Sequence, residues 1–294
     1  MATLNQWVAG ARPRTLPAAV APVLVGTAAA GVGGRHVIGY AVLALAIALA
    51  LQVGVNYAND YSDGVRGTDA ERVGPVRLVG QGLAQPANVK LAAFAAFGFA
   101  ALAGLALVGL SGAWWLLPIG VLCVIAAWKY TGGDSPYGYR GLGEVFVFVF
   151  FGLVATLGTQ YSQLLSLTWF GLLGAVGVGA IASAILVANN LRDIPTDEVA
   201  GKRTLAVRLG DAGTRRLWLG LIVVSVLCCV AMVAFAPWAL AGLLALPLAW
   251  PAARAITGGA TGRDLVPALG ATGLYEIGYA VLITVGVIVG SLVG

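Results

Sequence analysis

The sequence predicts an all-α polytopic membrane protein of about nine transmembrane helices, and three observations carry that reading. The 294 residues are 60% hydrophobic and only 10% charged, with a mean hydropathy of +0.92, outside the range of soluble globular domains. Apolar stretches of roughly 17–25 residues recur, each long enough to cross ~30 Å of hydrocarbon as a helix. The period-two alternation of a membrane barrel is absent.

Taken in order, the chain opens with MATLNQWVAGARPRTLPAAV, where charges and prolines interrupt the sequence before any apolar run. It reads as an interfacial segment anchored by Trp7, not as a cleavable signal. Spans follow with centres near Leu24, Ile47, Phe99, Ile119, Leu153, Gly179, Val224, Leu244 and Thr284. With the N-terminus inside, alternation puts Arg12 and Arg14, Arg66 to Lys90, Lys129 and Arg140, Arg192 to Arg216, and Arg254 and Arg263 on the cytoplasmic side of the cell membrane. Only Arg35 is left outside. The acids fall on that same face, so the chemistry is expected there, and the span interiors are expected to lack acids.

A formal charge of +5 suits anionic lipid headgroups or an anionic substrate. The expected partner is the lipid bilayer, with no nucleic acid. Cys123, Cys228 and Cys229 lie within apolar spans and read as small hydrophobes, with neither disulfide nor zinc spacing. His36 stands alone in a short loop, which excludes a multi-histidine centre. One transmembrane domain covers residues 1–294, and its two large polar loops, four spans apart, suggest a four-helix repeat over about 37–162 and 169–292.

Those loops carry the chemistry. Gln52 to Arg77 holds two asparagines, four acids and three arginines at the end of an apolar helix. Asn56 and Asp60, and Asn59 and Asp63, are four apart and stack in pairs while the helix persists. Gly64 and Gly67 then mark its end, with Asp69 and Glu71 in a returning loop. In Asn189 to Arg208, Asp193 and Asp197 are again four apart, but Pro195 between them predicts that the helix ends near Asp193.

Acids and arginines at helix ends can simply solvate the interface. Two clusters of similar layout on one face are better explained by cations that relieve the repulsion among their carboxylates. Magnesium favours one or two carboxylates with water and phosphate oxygens, and Arg66, Arg77 and Lys202 are available for a diphosphate, as are Arg72, Arg203 and Arg208. Between spans four and five, WKYTGGDSPYGYRGLGE (128–144) crowds Tyr130, Tyr137 and Tyr139 into a tight loop. They read either as an aromatic belt or as faces for a cationic intermediate or a ring substrate. Tyr275 and Glu276, placed at the cytoplasmic start of the last span, are further candidates.

NDYSD at Asn59 to Asp63 and NNLRDIPTDEVAGKRTLAVRLG from Asn189 resemble the two aspartate-rich motifs of the UbiA superfamily of intramembrane prenyltransferases. ARPRTLP, YTGG, GYRGLGE and YEIGY extend the resemblance over nearly the whole chain, closest to the 1,4-dihydroxy-2-naphthoate polyprenyltransferase (MenA) branch of menaquinone biosynthesis. Gly67 occupies the position of a third aspartate in many members. The resemblance implies a helix bundle around a central cavity with cytoplasmic cap loops and a lateral opening for a lipid tail. It also implies Mg2+, a polyprenyl diphosphate donor and an aromatic acceptor. Asn59, Asp63, Asp193 and Asp197 become the expected metal ligands, and Asp60, Asp63, Asp193, Asp197 and Tyr130 the catalytic candidates. Arg66, Arg77 and Lys202 are then assigned to the diphosphate, and Tyr137 and Tyr139 to substrate. The alternatives are another ring acceptor, such as 4-hydroxybenzoate or homogentisate, or an ion-coupled transporter; a CDP-alcohol phosphotransferase lacks the required acid spacing after Asp63.

Overall fold

The computed structural model describes residues 2–67 and 76–293. Asp69, Glu71 and Arg72 lie outside the described residues. Helices dominate and no strand occurs among the described residues, as expected where backbone groups in lipid must pair within their own segment. An amphipathic entry helix, α1 (Leu4–Gly10), begins with a Thr3/Gln6 capping box. Trp7 packs edge-on against Tyr57, whose hydroxyl donates to the Trp7 carbonyl at 2.9 Å, so the anticipated anchor is seated on the bundle.

The apolar helices follow as α2 (Pro17–Val32), α3 (Ile38–Arg66), α4 (Pro86–Ser111), α5 (Leu116–Lys129), α6 (Gly143–Leu164), α7 (Trp169–Val199), α8 (Leu205–Met232), α9 (Pro237–Thr257) and α10 (Gly262–Val293). Seven are long and apolar enough to cross a membrane, and the bent pair Leu4–Thr15 and Pro17–Val32 makes an eighth. The ninth expected span is the 14-residue helix α5, shorter than the ~20 residues a perpendicular crossing needs. Each sequence-derived centre falls within one of these helices. The chain is an integral membrane protein.

Three helices frame the site. In α3 the last turn closes at Gly67, whose φ of 73° is the left-handed cap that glycine tolerates. That backbone role accounts for glycine where related motifs place an aspartate. Helix α6 contains a π-helical stretch, Phe148–Val154, and lies so close to α7 that a Cβ on Gly152 would sit 2.5 Å from the Gly179 Cα. Small residues permit such approach between membrane helices.

The expected break at Pro195 does not occur, and α7 continues through it to Val199. Proline forfeits one bond there, the one its N–H would make to the Leu191 carbonyl; around it Thr196 Oγ1 donates to the Asp193 carbonyl at 3.0 Å, and Arg192 donates to the Asp193 and Asn189 side chains. Asp193 and Asp197 therefore stay one turn apart on a continuous helix. A second correction concerns the span interiors. Glu276 and Tyr275 are fully buried well inside α10, because a 3-10 turn at Gly262–Leu265 starts that helix early.

Candidate active site

The lining residues of α3 change character along its length. Ala48, Leu51 and Val55 are apolar, Gln52, Asn56 and Asn59 are polar, and Asp63 is charged; all face one cavity of about 280 Å3. At 1.5 Å per residue the gradient runs about 22 Å down the helix. Helix α7 repeats it, from Ala182, Ile185 and Leu186 to Asn189, Asn190 and Asp197. Two helices thus deliver their carboxylate-bearing C-terminal ends to the same end of a pocket whose remainder is walled by Phe146, Phe150, Phe151 and small side chains.

Asp63 and Asp197 are 3% and 5% exposed and occupy the last turns of their helices. There the macrodipole is negative and carboxylates are disfavoured, so cations are favoured beside them. Lys202 and Arg77, both buried, line the same cavity. The Lys202 Nζ is 3.8 Å from Asp63 Oδ1 and 4.5 Å from the Tyr139 ring centroid.

The loop between α5 and α6 brackets both clusters. Thr131 Oγ1 donates to Asn59 Oδ1 at 2.7 Å, and the Tyr139 hydroxyl donates to Asp63. On the other side, the Arg203 amide donates to the Tyr139 carbonyl at 2.9 Å. Tyr130 and Tyr137 also line the cavity. Tyr137 stacks on Phe146 at 3.9 Å and donates its hydroxyl to the Ala126 carbonyl at 2.8 Å. Burial, reinforced by neighbouring Tyr130, pushes its pKa up, so this phenol keeps its proton at neutral pH and serves as a wall and a donor.

Not every candidate converges. Asp60 is 1% exposed and points away from the cavity, accepting from the Leu78 and Val79 amides at 2.6 and 3.0 Å. Beside it Gly64 leaves no room for a Cβ against Val79. Together they fasten the segment that carries Arg77. Asp60→Ala is expected to destabilise the protein by about 1–3 kcal/mol, the cost of leaving buried amides unpaired, and to raise the KM of an anionic donor through Arg77. Thermal unfolding in detergent and initial-rate kinetics check the two effects.

Arg66 is also outside the lining set: it donates to the Thr131 and Gly133 carbonyls and lies over the Tyr139 ring at 5.6 Å, holding the bracket loop in place. Asp193 is paired with Arg192 at 2.7 and 2.8 Å. Arg192 also donates to Asn189 at 2.9 Å, so this acid is charge-compensated rather than turned to the cavity. Tyr275 and Glu276 do not line it either, and Cys123, read as a core residue, does.

Sequence reasoning passed over Arg12, Gln52, Thr131, Asn189 and Asn190, all on the cavity wall. Arg12 carries a signal in its backbone, a φ of 54°, which for a residue with a side chain is strain of the kind that collects at functional sites.

The donor set fits magnesium. Asn59, Asp63 and Asp197 offer hard oxygens at one end of the cavity, and no group of three or more His, Cys, Asp or Glu able to hold a metal occurs among the described residues. A cage made wholly of protein carboxylates is not what magnesium takes; it keeps water and phosphate oxygens beside one or two carboxylates.

Comparison with known proteins agrees with this geometry. The UbiA prenyltransferase family profile matches residues 19–263. The 1,4-dihydroxy-2-naphthoate octaprenyltransferase of Mycobacterium tuberculosis is 54% identical over 99% of this chain and 100% of its own. That of Escherichia coli is 41% identical over 84% and 83%. A UbiA homologue from Archaeoglobus fulgidus, solved with GPP and Mg2+, superposes with a TM-score of 0.66 at 14% identity, covering 95% of this chain and 99% of that one; at that identity the likeness is one of fold. By the family profile and the identity to these relatives, the chain belongs to the UbiA prenyltransferase family.

Proposed function

We propose that the protein transfers a polyprenyl group from a polyprenyl diphosphate to 1,4-dihydroxy-2-naphthoate with loss of CO2, giving demethylmenaquinol for menaquinone synthesis. The observation that carries the reading is the meeting of two acidic helix ends and two buried cations at one end of an otherwise apolar cavity. The near-complete match to 1,4-dihydroxy-2-naphthoate octaprenyltransferases supports the acceptor.

Asn59, Asp63 and Asp197 would hold Mg2+, with Asp193 as a fourth oxygen donor once a diphosphate engages Arg192. Bound there, the ion would neutralise diphosphate charge and improve the leaving group. Arg77 and Lys202 grip the diphosphate oxygens, arginine as a fork and lysine as a point charge. Tyr139 keeps the Asp63 carboxylate oriented. The aromatic wall of Tyr130, Tyr137, Phe146 and Phe150 shields the allylic cation from water and offers it ring faces. As the C–O bond to diphosphate breaks, the ring carbon bearing the carboxylate attacks the prenyl carbon and the adjacent hydroxyl gives up its proton; the adduct is a β-keto acid, which loses CO2 and takes up a proton as it rearomatises.

At about 280 Å3 the cavity is at the small end for ligand pockets. It accommodates the diphosphate and ring, and a long prenyl tail leaves sideways into lipid. We place the site at the cytoplasmic face of the cell membrane with the N-terminus inside, supported by the distribution of lysine and arginine. The repeat reading, 37–162 and 169–292 within a single domain, is supported by α3 packed on α4 and α7 on α8, each pair led by the helix that ends in an acidic cluster.

Purified protein given a defined polyprenyl diphosphate, Mg2+ and each of three acceptors tests the assignment. The naphthoate is expected to yield a product lighter than the simple prenyl adduct by the mass of one CO2. Prenylation of 4-hydroxybenzoate or homogentisate with the naphthoate untouched would move the chain to a sister activity. Flux of substrate without prenyl transfer would support the transporter.

A further inference from the structure

Glu144 is a buried acid that the reaction as described does not use. It stands in the first turn of α6, is 6% exposed, and does not line the cavity. Its Oε1 accepts from Asn190 Nδ2 at 2.8 Å, and its backbone carbonyl accepts from Ser183 Oγ at 3.2 Å. Oε2 has no hydrogen-bond partner among the described residues. Burying a carboxyl for one amide contact is a poor source of stability, because an apolar side chain of similar volume does as well or better.

What the contact does provide is direction. Asn190 lines the cavity beside Asn189 and Tyr130. The amide nitrogen is the end turned to Glu144, so Oδ1, an acceptor, is the end left for the cavity. An amide oxygen is no partner for a diphosphate or a ring carboxylate, which are acceptors themselves, and Asn190 stands about 10 Å along the helix from Asp197, on the side of the apolar Leu186 and Ile185 and away from the acid that would hold the metal. That oxygen suits a hydroxyl.

We infer that Glu144 is a positioning residue that holds Asn190 so that its amide oxygen accepts a hydrogen bond from a ring hydroxyl of the aromatic acceptor. The inference rests on the prenyl-transfer reading above. It assigns the cavity a polar contact specific for the acceptor, distinct from the cations that serve the donor.

The test uses the full chain in lipid nanodiscs, with acceptor and donor varied separately. Glu144→Leu and Asn190→Ala are each expected to raise the acceptor KM about fivefold, the size of one neutral hydrogen bond, with the donor KM unchanged. The double variant should be no worse than Asn190→Ala. Glu144→Gln should stay near wild type, since its amide oxygen still accepts from Asn190. As competitive inhibitors, 1-hydroxy-2-naphthoate and 4-hydroxy-2-naphthoate each lack one hydroxyl, and one of them should bind wild type and Glu144→Leu equally.

An equal rise in donor KM, additive effects in the double variant, or no change in acceptor KM overturns the inference. Should Glu144→Leu fail to fold, Asn190→Ala with the two inhibitors decides alone. If wild type leaves the naphthoate unreacted, the proposed function has failed, and the same KM split is read with whichever hydroxylated ring it does prenylate; its presence keeps the inference and its absence removes it.

Discussion

Asp63→Asn is expected to lower kcat by roughly 10²–10³-fold while leaving the melting temperature near wild type, a size typical for removing one preorganised charge from a reacting centre. The substitution is nearly isosteric, and its amide oxygen still accepts from the Tyr139 hydroxyl that now bonds Asp63. Only the charge is lost. Asp63 stands 3.8 Å from Lys202 at the negative end of α3, where a cation offsets the repulsion between its carboxylate and the helix dipole. Asp197→Asn should behave alike from the second helix, and Asp193→Asn should cost less because Arg192 already compensates that acid. Single-turnover rates together with thermal unfolding check the prediction; a large fall in melting temperature alongside the rate would make Asp63 a fold residue instead.

Lys202→Met is expected to reduce kcat/KM for the donor by about 10²-fold, with the acceptor KM unchanged. Methionine preserves an apolar stem and removes the ammonium, which lies 4.5 Å from the Tyr139 ring centroid. The loss combines a charge-assisted contact to phosphate, worth about 1.5–3 kcal/mol, with removal of the ammonium 3.8 Å from Asp63. Arginine at the same position should recover part of the activity. Its wider, planar head does not fit a site built around a point charge, so recovery falls short of wild type. Initial rates with donor and acceptor varied in turn separate these outcomes.

The positions and order of the apolar helices were legible because hydrocarbon thickness sets the length of an apolar run; the count of nine spans held only approximately, since Leu116–Lys129 is short of a crossing. The meeting of the two clusters was legible from chemistry, since carboxylates gathered near lipid call for cations. Which carboxylate of a cluster faces inward was not. Asp60 and Asp63 differ by three positions, and only the returning segment with Leu78 and Val79 determines that Asp60 turns outward.

Pro195 misled for a similar reason: proline predicts a break, yet the helix runs on through it to Val199 with one backbone bond forgone. Glu276 was placed too close to the membrane surface because the 3-10 turn that opens α10, Gly262–Leu265, carries no apolar signature. Arg66 and Arg77 could not be told apart by spacing; one holds the bracket loop and the other reaches the cavity. Asn190 was hidden beside Asn189, and only the buried Glu144 identifies it.

The central claim is that the two clusters, far apart in sequence, form one metal–diphosphate site. Electron paramagnetic resonance of Mn2+ with a nonreactive prenyl thiodiphosphate measures it most directly. Wild type should show tight metal binding that depends on the diphosphate, and Asp63→Asn and Asp197→Asn should each abolish it. Metal binding without the diphosphate, or binding that survives in either variant, would contradict a shared site.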